Sequence, residues 1–261
     1  MRTAVVTGGA SGIGRAVARE LALRGAEVTI ADLDEEAGER TAKEYGLAFA
    51  KLDVTDAEAV AALFRGVGRL DYVFNNAGIA VGGRTEELTL DHWNRTIDVN
   101  LRGVVHGVHA AYPIMLEQGF GHIVNTASLA GLVPAPLMLP YTATKHAVVG
   151  LSLALRAEAA SRGVRVSVVC PGFTDTPLLD HANPGLPATE IGDHARESAV
   201  KATGRLYSVD ALAADILRGV ARNQALIVAP ASGRAAWRAA RLSPGGAVRV
   251  AGFATRRVSS R

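Results

Sequence analysis

The chain has one cysteine, Cys170, only 5% aromatic residues, and neither lysine nor any acidic residue after position 215. A lone cysteine excludes an internal disulfide and any zinc site built from paired cysteines. That usage fits a reducing compartment, so the protein is expected to be intracellular and cytoplasmic. No run approaches the ~20 apolar residues of a membrane-spanning helix. The first apolar run ends at Gly8-Gly9, too short for the ~7–15-residue core of a signal peptide.

What is present is a chain of 261 residues, 49% hydrophobic. That length suits a single α/β domain able to bury roughly three quarters of its unfolded surface. The net charge of +3 hides an asymmetry. Residues 216–261 carry nine arginines, which leaves 19 basic against 25 acidic residues before them, a balance of −6. A mildly acidic body does not read as a nucleic-acid-binding domain, and no nucleic-acid partner is expected.

Short β-rich runs alternate with helical stretches. Ala4 to Val6, Val28 to Ile30, Tyr72 to Phe74, Ile123-Val124 and Val164 to Val169 read as buried strands. Ile13, Val17 and Leu21 repeat at helical spacing between the first two. This alternation predicts an α/β fold, a doubly wound parallel sheet with helices on both faces. No repeat or low-complexity linker divides it. The expected organisation is one domain over residues 1–230 and a basic C-terminal arm over 231–261.

The first strand runs into Thr7-Gly8-Gly9-Ala10-Ser11-Gly12-Ile13-Gly14, followed at once by a helical pattern. Glycines allow a tight turn and close backbone approach, and a helix N-terminus offers unpaired N–H groups to a pyrophosphate. The strand–turn–helix context predicts a dinucleotide site rather than an ordinary turn. Asp32, eighteen residues after Gly14, can accept hydrogen bonds from ribose hydroxyls and repel a 2′-phosphate. The rival role for Asp32 is to cap the helix after it.

Further on, Tyr141 and Lys145 fall at i and i+4, sharing a helical face. An ammonium near a phenol favours the phenolate and lowers a pKa of about 10, so such a tyrosine can move a proton near neutral pH. Alone, the pair is as well read as a packed tyrosine and an exposed lysine. Its context includes Asp53-Val54, Asn75-Asn76-Ala77-Gly78, Asp98-Val99-Asn100, Ser128 thirteen residues before Tyr141, and Pro171-Gly172-Phe173-Thr174-Asp175-Thr176.

From about residue 3 to about residue 230, this ordered set resembles the short-chain dehydrogenase/reductase family. The resemblance implies a Rossmann-like catalytic domain in which Tyr141 is the general acid/base. Ser128 would hydrogen-bond the reacting oxygen, Lys145 would bind the nicotinamide ribose, and Asn100 would hold a water in a proton relay. Gly8, Ser11, Gly12, Ile13 and Gly14 would cradle the cofactor, with Asp32 on the adenosine ribose. Asp53 and Val54 would meet the adenine, and Asn76, Ala77 and Gly78 would line the adenosine side, with Asn75 bracing the sheet. Pro171, Gly172, Thr174 and Thr176 would face the nicotinamide. Ser11 stands where NADP-preferring members often place a basic residue, and Arg15 is expected to face outward, so NAD is favoured over NADP.

Several residues carry blander expectations. His106 and His109 lack further ligands at suitable spacing, and no metal is expected. Cys170, Trp93 and Trp237 read as packing residues. The apolar run Leu129 to Leu139 and the segment after Thr176, with Leu178, Leu179, Pro184, Leu186, Pro187 and Ile191, are expected to wall a substrate site, the latter as a lid over about 175–205. With no Arg or Lys between Ser128 and Tyr141, the expected substrate is a small hydrophobic secondary alcohol or ketone. An equal reading makes these apolar residues core or interface. Rival functions are an NADPH-dependent ketoreductase and a non-enzymatic NAD-binding regulator.

The resemblance also implies a homodimer through segments Asp91 to Gln118 and Tyr141 to Arg162. A dimer is favoured over a tetramer because a Thr-Gly…Asp-Gly-Gly ending is missing. In the arm, Arg234 to Leu242 reads as a short basic helix that stops at Ser243-Pro244-Gly245-Gly246, with a mobile end beyond. Docking on the chain's own body or its dimer partner is favoured over a membrane surface or a solvated tail.

Overall fold

Seven parallel strands form one sheet in the order β3-β2-β1-β4-β5-β6-β7. They are β1 Arg2–Thr7, β2 Ala26–Asp32, β3 Ala48–Lys51, β4 Tyr72–Asn75, β5 Gly121–Thr126, β6 Val164–Pro171 and β7 Leu226–Ala229. The helices are α1 Gly12–Leu23, α2 Glu35–Tyr45, α3 Ala57–Val67, α4 Leu90–Ile97, α5 Gly103–Gln118, α6 Leu139–Ala159, α7 Glu190–Asp193, α8 Ala195–Thr203, α9 Val209–Ala221, α10 Ala231–Leu242 and α11 Pro244–Ser259. This computed structural model describes residues 1–259, without the side chains of residues 254 and 256–259. Among the described residues, no helix is long and apolar enough to cross a membrane.

Period-two alternation decides which helix each strand residue meets. On β1, Ala4 and Val6 pack with Ile30 and Phe74 against α1 and α9, through Val17, Leu21, Leu212 and Ile216. Val5 points the other way, with Val73, Ile123 and Val166, against Phe64 of α3 and Met115 of α5. The strand order reverses between β1 and β4, and their carboxyl ends therefore open a crevice at the switch point. Asn75 and Asn125 brace that region. Asn75 Nδ2 donates to Asn125 Oδ1 at 2.8 Å, and Asn125 Nδ2 donates to Ser152 Oγ at 3.0 Å, which ties β4 and β5 to α6.

The segment Asp91 to Gln118 is helical throughout, with a π-helical turn at Asp98–Arg102 joining α4 to α5. In the arm, α10 ends at Leu242 with Ser243 as its cap, as expected, but Ser243 to Gly246 is not a loop. Pro244 instead opens α11, a first helical position where its missing N–H costs nothing, and Ala247 N–H donates to the Ser243 carbonyl at 2.9 Å. The helical backbone continues to Ser259 where a mobile end was expected. The side chains of Arg256, Arg257 and Ser259, and all of Ser260 and Arg261, lie outside the described residues.

Helix α10 docks on the body. Gly233 is buried beside Leu129, Arg234 donates to the Val228 carbonyl at 2.8 Å, and half-buried Trp237 packs on the cluster holding Val148, Val168 and Cys170.

Candidate active site

One cleft of about 810 Å³ runs along the switch point, a volume in the range of small-molecule sites. It is lined by Gly8, Ser11, Gly12, Ile13, Asp32, Asp53, Val54, Asn76, Ala77, Gly78, Ser128, Tyr141, Lys145, Pro171, Gly172, Thr174 and Thr176. Of the site residues expected from sequence, Gly14 and Asn100 are not on its wall. Gly14 acts from behind: a Cβ there would stand 2.0 Å from the Gly8 carbonyl oxygen, so the bare backbone lets α1 seat against the loop. Asn100 is fully buried in the π-turn. Its Oδ1 accepts from Ile79 N–H at 2.8 Å and its Nδ2 donates to the Ile79 carbonyl at 2.9 Å. It therefore fixes the segment that carries Gly78 past Lys145.

At the loop end of the cleft, Gly8 and Gly12 adopt positive φ (63° and 51°), which L side chains rarely do. Ser11 makes no side-chain cap to α1, and no acidic residue occupies the first turn. Those first N–H groups thus face the cleft without a competing carboxylate, an arrangement that fits a pyrophosphate. Asp32 holds the loop from the far side, accepting from Ala10 N–H at 3.0 Å and from Asp34 N–H at 3.2 Å. Asp34, not Asp32, caps α2, through a bond from Ala37 N–H. Arg15 faces away, paired with Glu44 at 2.9 Å and hydrogen-bonded to Tyr45. Burial pushes the Asp53 carboxyl up, but two bonds from Thr55 and the charge of Arg95 outweigh it and hold the group below its ordinary value. His106 Nδ1 meets the Val54 carbonyl at 2.9 Å, a structural role. Among the described residues, no group of three His, Cys, Asp or Glu side chains is placed to hold a metal.

At the opposite end stand Ser128, Tyr141 and Lys145. Ser128 follows β5, and its Oγ accepts from Ala130 N–H at 3.1 Å. Lys145 Nζ lies 5.5 Å from the Tyr141 ring centroid and donates to the Thr126 carbonyl at 3.0 Å. Burial drives the ammonium down to about 8. The expectation of a phenol below its ordinary pKa is corrected. Burial pushes Tyr141 up, and a hydrogen bond from Ser128 only partly offsets it. Cys170 lies behind this group, its thiol pushed up to about 12 by burial, inert packing rather than a nucleophile.

The apolar walls are split more finely than expected. Leu129, Val133, Pro134, Pro136 and Met138 line the cleft, as do Leu178, Leu179 and Pro184. Leu186, Pro187 and Ile191 do not line it. The Pro187 carbonyl meets His92 Nε2 at 3.0 Å, and Ile191 turns toward Gly82. The segment over 175–205 is structured by anchors that sequence reasoning missed. Asn183 Oδ1 accepts from Gly82 N–H at 3.0 Å, while its Nδ2 donates to the Gly82 carbonyl and to Thr189 Oγ1. Arg196 of α8 donates to Asp175, to Asp180 and, at 3.0 Å, to the Thr176 carbonyl. The Asn183-Pro184-Gly185 turn was the one visible signal; Asn183 takes a φ of 56° there. Arg95, His181, Ala202 and Ala251 also line the cleft without having been singled out.

The family model for short chain dehydrogenases matches residues 2–186. A 2,5-dichloro-2,5-cyclohexadiene-1,4-diol dehydrogenase of Sphingobium indicum is 37% identical over 209 residues, 74% of this chain and 84% of that protein. A cyclohexanol dehydrogenase of an Acinetobacter species is 40% identical over 188 residues, 68% of this chain and 75% of that protein. Among solved structures, a short-chain dehydrogenase/reductase from Burkholderia phymatum in complex with NAD superimposes with a TM-score of 0.83 at 34% identity, covering 91% of this chain and 92% of that one. Levodione reductase gives 0.74 at 31% identity, covering 87% and 94%. The chain belongs to the short-chain dehydrogenase/reductase family and is an oxidoreductase of that family.

Proposed function

We propose that the protein moves a hydride between NAD and an apolar, ring-bearing secondary alcohol or its ketone. The observation that carries this reading is the placement of Ser128, Tyr141 and Lys145 on the wall of the same cleft that holds the glycine loop and Asp32. Bound nicotinamide supplies or takes the hydride. Everything else falls to the chain's own groups. Gly8 to Ile13, through their backbone, and Asp32 would hold the adenosine half, with Asp53 and Val54 at the base and Asn76 to Gly78 beside it. Pro171, Gly172, Thr174 and Thr176 would face the carboxamide end.

Tyr141 gives its phenolic proton to a carbonyl oxygen in reduction and removes the hydroxyl proton in oxidation. Ser128, with one hydroxyl hydrogen to give, bonds the phenol, which favours the phenolate, and would turn that hydrogen to the same substrate oxygen when substrate is bound. Lys145 holds the ribose and, with Asn100 behind it, the path by which the proton leaves. Two side chains support NAD rather than NADP. The Asp32 carboxylate lines the cleft and would repel a 2′-phosphate, and Arg15 is committed to Glu44 and Tyr45. The apolar wall from Leu129 to Met138 suits a carbocycle, and the two dehydrogenase relatives bear the names of six-membered-ring alcohols.

The test is a panel of cyclic and linear secondary alcohols offered with NAD and then NADP, read as absorbance of the reduced cofactor. Turnover confined to NAD and highest kcat/KM on ring alcohols is expected. Preference for short linear alcohols, or for NADP, overturns the corresponding half of the reading.

A further inference from the structure

Helix α11 turns unlike faces inward and outward. Ala247, Ala251 and Thr255 are half-buried at four-residue spacing, and Ala251 stands in the cleft wall that also holds Leu178, Leu179 and Ala202. Outward, Val250 is 71% exposed and Phe253 65%, three residues apart on one flank, Val248 on the other flank is 60% exposed, and Leu242 at the corner between α10 and α11 is 88% exposed. Large apolar side chains are scattered singly over most protein surfaces. Here four crowd into residues 242–253. The same stretch has one sign of charge. From position 216 onward the chain carries nine arginines and no acid. Arg238, Arg241 and Arg249 are exposed among the apolar residues, and Arg241 lies 5.8 Å from the Trp237 ring.

We propose that the hairpin of α10 and α11 is a docking face for an anionic lipid bilayer. Its outward apolar side chains would enter the acyl boundary while its arginines meet lipid phosphates. The mixture decides among partners. A nucleic acid would use the arginines but has no place for Leu242, Val248 and Val250. A second copy that paired this hairpin with itself across a two-fold axis would set arginine against arginine, with no acidic residue to offset them. An anionic bilayer satisfies both properties at once. Because Ala251 of the same helix lines the cleft, docking sets the cleft mouth at the bilayer surface, where apolar compounds concentrate. This last consequence rests on reading the cleft as the alcohol site; the docking itself does not.

Co-sedimentation with vesicles tests the docking apart from catalysis. The full-length protein is expected to pellet with vesicles of phosphatidylglycerol and phosphatidylcholine in low salt, severalfold less when salt screens the arginines, and not with phosphatidylcholine alone. The double variant V248D/V250D is expected to lose binding by about tenfold or more, with its sedimentation coefficient and its turnover of a water-soluble alcohol unchanged. No binding of the full-length protein to the anionic vesicles overturns the proposal, as does equal binding by V248D/V250D. A dimer that dissociates on those substitutions also overturns it and assigns the face to a second copy.

Discussion

The carboxylate of Asp32 accepts a hydrogen bond from the Ala10 amide at 3.0 Å, joining the end of β2 to the glycine loop. One residue therefore shapes the glycine loop and, on the proposed reading, would present its charge to the cofactor ribose. Asp32→Ser is expected to weaken NAD and relieve the penalty on NADP by roughly 1–3 kcal/mol, the worth of a charged hydrogen bond. The ratio of kcat/KM for the two cofactors measures it. An unchanged ratio would mean that selectivity resides elsewhere.

His122 is buried on β5 and pairs with Ser167 Oγ at 2.8 Å. Burial, with Arg165 and Arg156 nearby, depresses it to about 4 from an ordinary 6.5. The unfolded chain therefore binds one more proton than the native one between those values, and stability falls as pH drops from 6.5 toward 4. Urea titrations at about pH 7 and about pH 4.5 should show this loss, on the order of 2 kcal/mol. His122→Gln is expected to flatten that slope; an equally steep slope in the variant would assign it to other groups.

The tether at Asn183 predicts a split between binding and chemistry. Asn183→Ala removes bonds to both backbone groups of Gly82 and to Thr189. Losing buried bonds of this kind costs about 1–3 kcal/mol each. A lower melting temperature and a raised KM for alcohol are expected, with NAD affinity retained. A variant with parental KM would show that this segment does not shape the substrate end.

Family resemblance implies pairing of two copies through α5 and α6, so a two-fold dimer is expected in solution. Light scattering at micromolar concentration is expected to give twice the chain mass. A clean tetramer mass contradicts it.

The sheet, the glycine loop and the residues lining the cofactor end were legible because each rests on local pattern. On β1, alternation alone sets Val5 against one helical layer and Ala4 and Val6 against the other. Strand β3 offered no such signal: Ala48, Phe49, Ala50 and Lys51 form a short edge strand whose pairing with β2 supplies the order its composition lacks. The π-turn holding Asn100 was invisible because it depends on the Ile79 backbone, 21 residues away. The raised phenol of Tyr141 was missed for a similar reason. The i to i+4 spacing reveals Lys145, whereas burial, the larger influence, comes from the packed site. Helix α11 went unread because Ser-Pro-Gly-Gly looks like an ending, although Pro244 serves as a beginning.

The most direct measurement is turnover by Tyr141→Phe with NAD and the best ring alcohol of the panel, alongside the affinity of the variant for NADH. Phenylalanine keeps the ring against Lys145 and removes only the hydroxyl. The account predicts kcat lower by at least ~10²-fold, the scale of general acid/base catalysis, with NADH affinity within about twofold of the parent. Near-parental turnover would contradict it and remove Tyr141 from the chemistry.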